Sequence, residues 1–422
     1  MKLQNMKLIE NFRFCKKYLG KIADVSYMFL FTVLLTFDFL EDTTFQIPWQ
    51  EWMQEEVGYC IINTLLFHPE MILFIVLVCR YLFSCTYNIK MYLITFVACL
   101  CAYYAYRVGG KDLESIFIFF LLVFGARGFS FRKLMQWYTI VVEILFAVTV
   151  AVSQTGYMEN LIYEVQNRNT RISFGFIYPT VFAAHLFFLF LCLWYLAQER
   201  WNLILAVLSL LASGFVYLGC EARFASICFG ILAVILMLSK WKIWPMHRWN
   251  PANKMSHYFV SMLTLIPVLC SLVIHILCIR FRIDIGWMAQ LNQLLSNRLR
   301  LAKKGIDVYG FHLWGSRIPM VGYGGTTEIR ERYFYLDSIY IQLSLVAGLV
   351  VLGMVLVMLF SACYKAKVLQ EWVLLWILVF VGLHGVIEEH LLSIAVCPFL
   401  FAVSTEIRQK RRAIYENDKV ER

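Results

Sequence analysis

Charge is what this chain has least of. Only 16% of its 422 residues are Asp, Glu, Lys or Arg, against 61% hydrophobic and 17% aromatic, and mean hydropathy is +0.68. That balance excludes a water-soluble domain of this length. The 13 cysteines form no CxxC pair, and no Cys/His cluster has metal-ligand spacing. They lie mainly inside apolar runs and read as small fillers of helix interfaces. A Ser-His-Asp order with a nucleophile elbow is missing. So are GxGxxG and P-loop spacings, which leaves the glycine-rich stretch at 310–325 a weak phosphate-loop signal. No internal repeat of the transporter kind is visible. A cleavable signal peptide is not evident either: the basic N-terminus leads into an apolar run, from near Ile22, that is long enough to span.

What recurs instead is the apolar run of about 20 residues, the length that crosses a bilayer. The fold class expected is all-α, a polytopic transmembrane helical bundle of about twelve spans. Hydropathy places them at 22–40, 67–85, 89–106, 112–126, 134–153, 174–197, 202–219, 224–239, 257–278, 337–360, 372–387 and 390–405. With the N-terminus inside, the short inner segments and the tail hold 24 Lys and Arg and the short outer segments five. Both termini are therefore expected in the cytoplasm. The chain divides into an N-terminal bundle (1–278), a large extracytoplasmic loop with an amphipathic helix (279–336), three C-terminal spans (337–405) and a basic tail (406–422). The tail reads as an anchor against anionic lipid, with no nucleic-acid partner.

Three outward sites could carry chemistry. The first is the tight turn at 220–223, where Glu221 and Arg223 sit at the membrane boundary; alone, they also fit a snorkelling pair. The second is the large loop. Arg298, Arg300, Lys303 and Lys304 share a stretch with helical apolar spacing, and Arg317 follows among the glycines. The third is YLDSIYIQLSLVAGLV at the start of the tenth span, where Asp337 and Ser338 open a helix. Asp337 suits a helix N-terminus and also suits a general base. Within spans, Glu143 reads as a helix–helix hydrogen bond inside the bundle. There is no outward DxD to hold a sugar nucleotide through a metal. No metal and no cofactor is expected, and arginines would stabilise any phosphate leaving group.

Several stretches, in order, carry a resemblance: GARGFSFRKL (125–134), NTRISFGFIYP (169–179), the turn with Arg223, SNRLRL (296–301), YGFHLWGS (309–316), YLDSIYIQLSLVAGL (335–349) and HGVIEEHLLSIAVCPFL (384–400). From about Leu113 onward the chain resembles the Wzy-type capsule and exopolysaccharide polymerases of Gram-positive bacteria, relatives of the O-antigen ligases. The resemblance implies an inverting, metal-independent glycosyl transfer between undecaprenyl-diphosphate-linked repeat units at the outer face of the membrane. A flippase and a chain-length regulator are the partners it implies. It makes Arg223, Arg298 and Asp337 catalytic, matches Ser338 to the second member of the His-Asn pair of ligases, and matches Gly348 to a glycine further along that helix. Glu221, Arg300, Lys303, Lys304 and Arg317 would assist substrate binding. Asp337 stands where ligases carry histidine, and the turn reads Glu-Ala-Arg where relatives have Ser before Arg. A ligase-like glycan transferase and a lipid-linked oligosaccharide flippase are the alternatives. A flippase should line a central cavity with charges from many spans.

Overall fold

The computed structural model describes residues 2–45, 69–84, 89–110, 113–164, 170–198, 200–240, 254–322, 326–327 and 333–407. The tail expected at 406–422 lies outside them from residue 408 onward. Among the described residues, seven helices are long and apolar enough to cross a membrane. They are α1 (Lys2–Glu41, apolar from Lys16), α3 (Ile89–Gly109), α5 (Phe131–Thr155), α6 (Pro179–Ala197), α7 (Asn202–Cys220), α9 (Lys254–Arg280) and α13 (Leu349–Leu369). Their length and composition make this a membrane protein. Side chains such as Leu211 and Leu218 on α7 and Val357 on α13 lie more than half exposed on the flanks, where lipid would cover them.

The helices α2 (Pro69–Phe83), α4 (Glu114–Gly125), α8 (Arg223–Lys240) and α14 (Trp372–His384) are shorter. α4 and α14 are apolar on every side, as interior helices are. Phe117 and Phe119 to Val123 are buried on α4, and nine of the thirteen residues of α14 are buried. Arg80 of α2 is buried too. It pairs with Asp24 of α1 at 2.9 Å, donates to the carbonyls of Gly125 and Arg127, and lies over the Phe129 ring. α7 and α8 form a tight hairpin, joined across their faces by Ser209 to the Phe229 carbonyl and by Ser213 to Ser226.

Two expected spans take other forms. The run at 390–405 is not a helix. It makes two short 3-10 turns, His390–Leu392 and Pro398–Val403, joined by a turn at 394–396 in which Cys397 N–H donates to the Ser393 carbonyl, and nearly every residue in it is buried. Irregular backbone at membrane depth survives only where protein satisfies its polar groups. Here Asp38 accepts from the Ser393 hydroxyl and the Ala395 N–H, both at 2.8 Å. Tyr138 donates to the Ala395 carbonyl, and Lys365 donates to the carbonyls of Ala402 and Val403. The run is apolar because it fills the interior.

The tenth expected span, 337–360, is broken. A short helix α12 (Ile339–Gln342) passes into a π turn (Leu343–Ala347), and α13 starts after Gly348. A strap from the large loop crosses this break. The N–H groups of Leu349 and Val350 donate to the carbonyls of His312 and Leu313, and Ser316 N–H donates to Val346. Gly348 has φ +94°, and a Cβ on it would strike the Gly315 amide; a Cβ on Gly315 would strike the Val346 carbonyl. Two glycines in contact make the crossing possible. The rest of the loop holds α10 (Gly286–Leu294) and α11 (Arg298–Tyr309), and α11 buries Leu299, Ala302 and Gly305. A small antiparallel ribbon, β1 (Ile162–Tyr163) with β2 (Arg171–Ile172), closes the same end.

Candidate functional site

A cleft of about 1110 Å³ opens at one end of the bundle. Its walls are the C-terminal end of α1, the starts of α4, α6, α8 and α11, Arg171 of β2, the segment before α12 and the turn after α14. Arg223, Arg298, Asp337 and Glu221 all line it, although 115 residues lie between Glu221 and Asp337. The fold brings them together because each stands at a helix end on the same side of the bundle.

Arg298 is the first residue of α11, preceded by Asn297 in the left-handed region. Its guanidinium is shared. It lies 3.3 Å from Asp337 and 3.0 Å from Glu388, and donates at 2.6 Å to the Ile387 carbonyl. Only a fifth of the side chain is exposed. Burial opposes its charge, but Glu388 and Asp337 outweigh burial and hold the guanidinium above its ordinary range. Burial works against charge on Glu388 as well. Arg298 beside it prevails, so the Glu388 carboxyl sits below the usual range and stays ionised. On Asp337 burial wins. It pushes the carboxyl up to about 6, against the pull of Arg298 and with the help of Glu388. An acid poised there exchanges a proton near neutral pH.

Glu389 points to different partners. Tyr335 donates to both its oxygens at 2.6 and 2.7 Å, and Gln342 donates at 3.1 Å. Burial pushes this carboxyl up to about 8. Consecutive glutamates thus serve two networks, one around Arg298 and one around Tyr335 and Gln342.

The turn between α7 and α8 is a looser arrangement. Glu221 caps α7 with φ +48°, and Arg223 opens α8. They pair at 2.6 Å, with half of the Arg223 side chain exposed and Glu221 almost wholly buried. At the end of α1, Asp38, Glu41 and Asp42 also line the cleft, and Asp42 bonds buried His185 at 2.8 Å. Seven carboxyl groups and three arginines therefore face one space. Among the described residues, no group of three or more His, Cys, Asp or Glu is arranged to hold a metal ion.

Other residues singled out from sequence lie elsewhere. Arg300 is exposed on α11, Lys303 pairs with Asp307 at 2.7 Å, and Lys304 lies over the Phe334 ring; none lines the cleft. They occupy the side of α11 away from Arg298, since a helix turns its neighbours to different faces. Arg317 lies against Gly110 at the end of α3. Ser338 is buried behind the cleft and donates to the Gly385 carbonyl at 3.2 Å. Sequence reasoning missed Glu388, Glu389, Tyr335 and the acids at the end of α1. The signal for the first two was the doubled glutamate directly after an apolar helix, within the stretch 384–400.

No protein-family pattern, no curated protein and no solved structure matches the chain.

Proposed function

We propose that the chain is a polysaccharide polymerase of the Wzy type, joining undecaprenyl-diphosphate-linked repeat units by inverting, metal-independent transfer. The reading includes a twelve-crossing topology in the bacterial cytoplasmic membrane, both termini in the cytoplasm and the cleft facing out, with a flippase and a chain-length regulator as partners. The buried run 390–405 supplies the twelfth crossing. It begins at the cleft and ends where Glu406 bonds Phe129 and Phe131 in the α4–α5 turn, at the far end of α4 from Leu113 in the cleft wall.

The observation that carries the proposal is the meeting of Arg223, Arg298 and Asp337 in one cleft at a single end of the bundle. A diphosphate would lie against Arg223, whose guanidinium is half open. Arg298 would keep Asp337 aimed at the acceptor. In the transfer, the acceptor hydroxyl oxygen bonds to the anomeric carbon and its proton passes to Asp337. The bond from that carbon to the diphosphate oxygen breaks, and its electron pair leaves with the diphosphate. Charges drawn from several elements would also suit a transport cavity. Below the cleft, however, α4, α14 and the 390–405 run fill the interior with buried apolar side chains, which favours transfer over passage.

Deletion of the gene tests the proposal, with lipid-linked glycans and surface polymer analysed together. Single lipid-linked repeats should accumulate while polymer disappears. Unchanged polymer in the deletion strain would overturn it.

A further inference from the structure

Glu143 is unused by the cleft. It is the middle residue of α5, with twelve residues on either side. Sequence reasoning expects a hydrogen bond inside the bundle; the structure instead turns Glu143 outward. It is exposed, and among the described residues no hydrogen bond or ion pair within the chain reaches it. Where α5 crosses a membrane, this carboxyl sits at mid-depth on the lipid flank. A lone ionisable group there is costly, and such groups are found paired.

The same flank has a second feature. Gln136, Ile140, Glu143, Ala147, Ala151 and Gln154 are all exposed and follow one another at spacings of three and four. Ala147 and Ala151 form a small-x-x-x-small pair, which lets another helix approach closely. The opposite face of α5 holds it to the bundle through buried Leu134, Met135, Tyr138 and Val142. Apart from one long bond from the Gln154 amide to the neighbouring Ser153 hydroxyl, at 3.3 Å, the fold of one chain leaves the outward stripe spare.

We propose that this stripe is a dimer interface and that its occupant is a second copy of the chain. Two copies in one membrane share an orientation, so a two-fold axis along the membrane normal sets α5 parallel to α5. Each residue then meets its own twin at the same depth. Alanine faces alanine. Each glutamine, carrying both donors and an acceptor, satisfies its twin, and each Glu143 meets a polar group in the other copy rather than lipid. The stripe is complementary to itself at every polar position. A helix bearing a base would answer Glu143 and leave both glutamines unmatched. The inference does not depend on the polymerase reading.

The test is the oligomeric state of the full-length chain in liposomes, measured by energy transfer between differently labelled copies as lipid dilutes them. Wild type should self-associate. Glu143→Leu should raise the dimer dissociation constant about ten-fold, a typical loss for one polar contact between membrane helices. Glu143→Gln should stay near wild type, since the amide still pairs with its twin. Ala147→Leu with Ala151→Leu should abolish association through bulk alone, with each monomer intact because both sites face outward. A monomeric wild type would overturn the proposal. So would a dimer that neither Glu143→Leu nor the double leucine variant weakens, or a Glu143→Gln variant as weak as Glu143→Leu.

Discussion

Of the three arginines that line the cleft, Arg298 and Arg223 are treated differently by the structure. Arg298 is mostly buried and divided between Asp337, Glu388 and a carbonyl; Arg223 is half exposed and, among the described residues, pairs with Glu221 alone. Sequence reasoning assigned both the same task, gripping a phosphate. Their surroundings separate the tasks. A guanidinium already shared between two carboxylates in a dry site is committed to the protein, and its removal strands both partners. An open guanidinium on a short turn can exchange water for a phosphate oxygen at little cost. Under the proposed function, Arg298 would organise the site and Arg223 would meet the ligand.

The largest effect expected is therefore at Arg298. Arg298→Ala leaves Asp337 and Glu388 facing each other without their shared cation, which costs roughly 3–5 kcal/mol for a buried pair broken on one side. Polymer should vanish, and the variant should also accumulate poorly and lose its thermal transition in detergent at a lower temperature. Arg223→Ala should remove polymer as fully, about a hundred-fold or more in transfer rate, while the protein accumulates and melts as wild type. Arg223→Lys should recover little, because the forked donor is lost. Equal stability of the two alanine variants, measured by thermal unfolding of the purified protein, would show that Arg298 and Arg223 do not divide these tasks.

The sequence made the membrane class and most helix positions legible, because hydropathy and period depend on local composition alone. It misled at 390–405 for a physical reason: a run that faces lipid and a run buried among other helices are equally apolar. Only the partners Asp38, Tyr138 and Lys365, drawn from three distant helices, show which it is. Arg223, Arg298 and Asp337 were legible as charged residues at the ends of apolar runs. Glu388 and Glu389 were not, since a span expected to 387 and another from 390 left them as a bare connector. Nor could the sequence show that Arg300, Lys303 and Lys304 leave the cleft to Arg298, because that follows from which face of α11 packs inward.

An intermediate effect is expected at Asp337 and Glu388. In the proposed transfer Asp337 must be deprotonated to accept the acceptor's proton, and its carboxyl is held at about 6. Activity should therefore be full above neutral pH and fall as pH drops through about 6. Asp337→Asn should reduce turnover sharply, leave donor binding nearly unchanged and abolish that acid limb. Glu388→Gln removes the like charge facing Asp337 and leaves Asp337 as the carboxylate paired with Arg298, and both changes favour the charged carboxylate. The acid limb of the transfer rate should move to lower pH. An unmoved limb in Glu388→Gln would mean that Arg298 is not shared in the way its geometry indicates.

The smallest effect belongs to the other bases of α11. Lys303 is tied to Asp307 one turn away, with the pair open to water. An exposed pair of this spacing contributes about 0.3–0.5 kcal/mol. Lys304 is exposed beside Phe334, where a cation over a ring adds roughly 0.5–1 kcal/mol. Neither side chain reaches the cleft wall. Lys303→Ala and Lys304→Ala should each leave stability within about 1 kcal/mol, and polymer yield and chain length unchanged on a sizing gel. The contrast with Arg298, on the same helix, then rests on which face each side chain takes. Shortened chains from either lysine variant, at normal protein level, would show that the outer face of α11 also holds glycan and that the binding surface extends beyond the cleft.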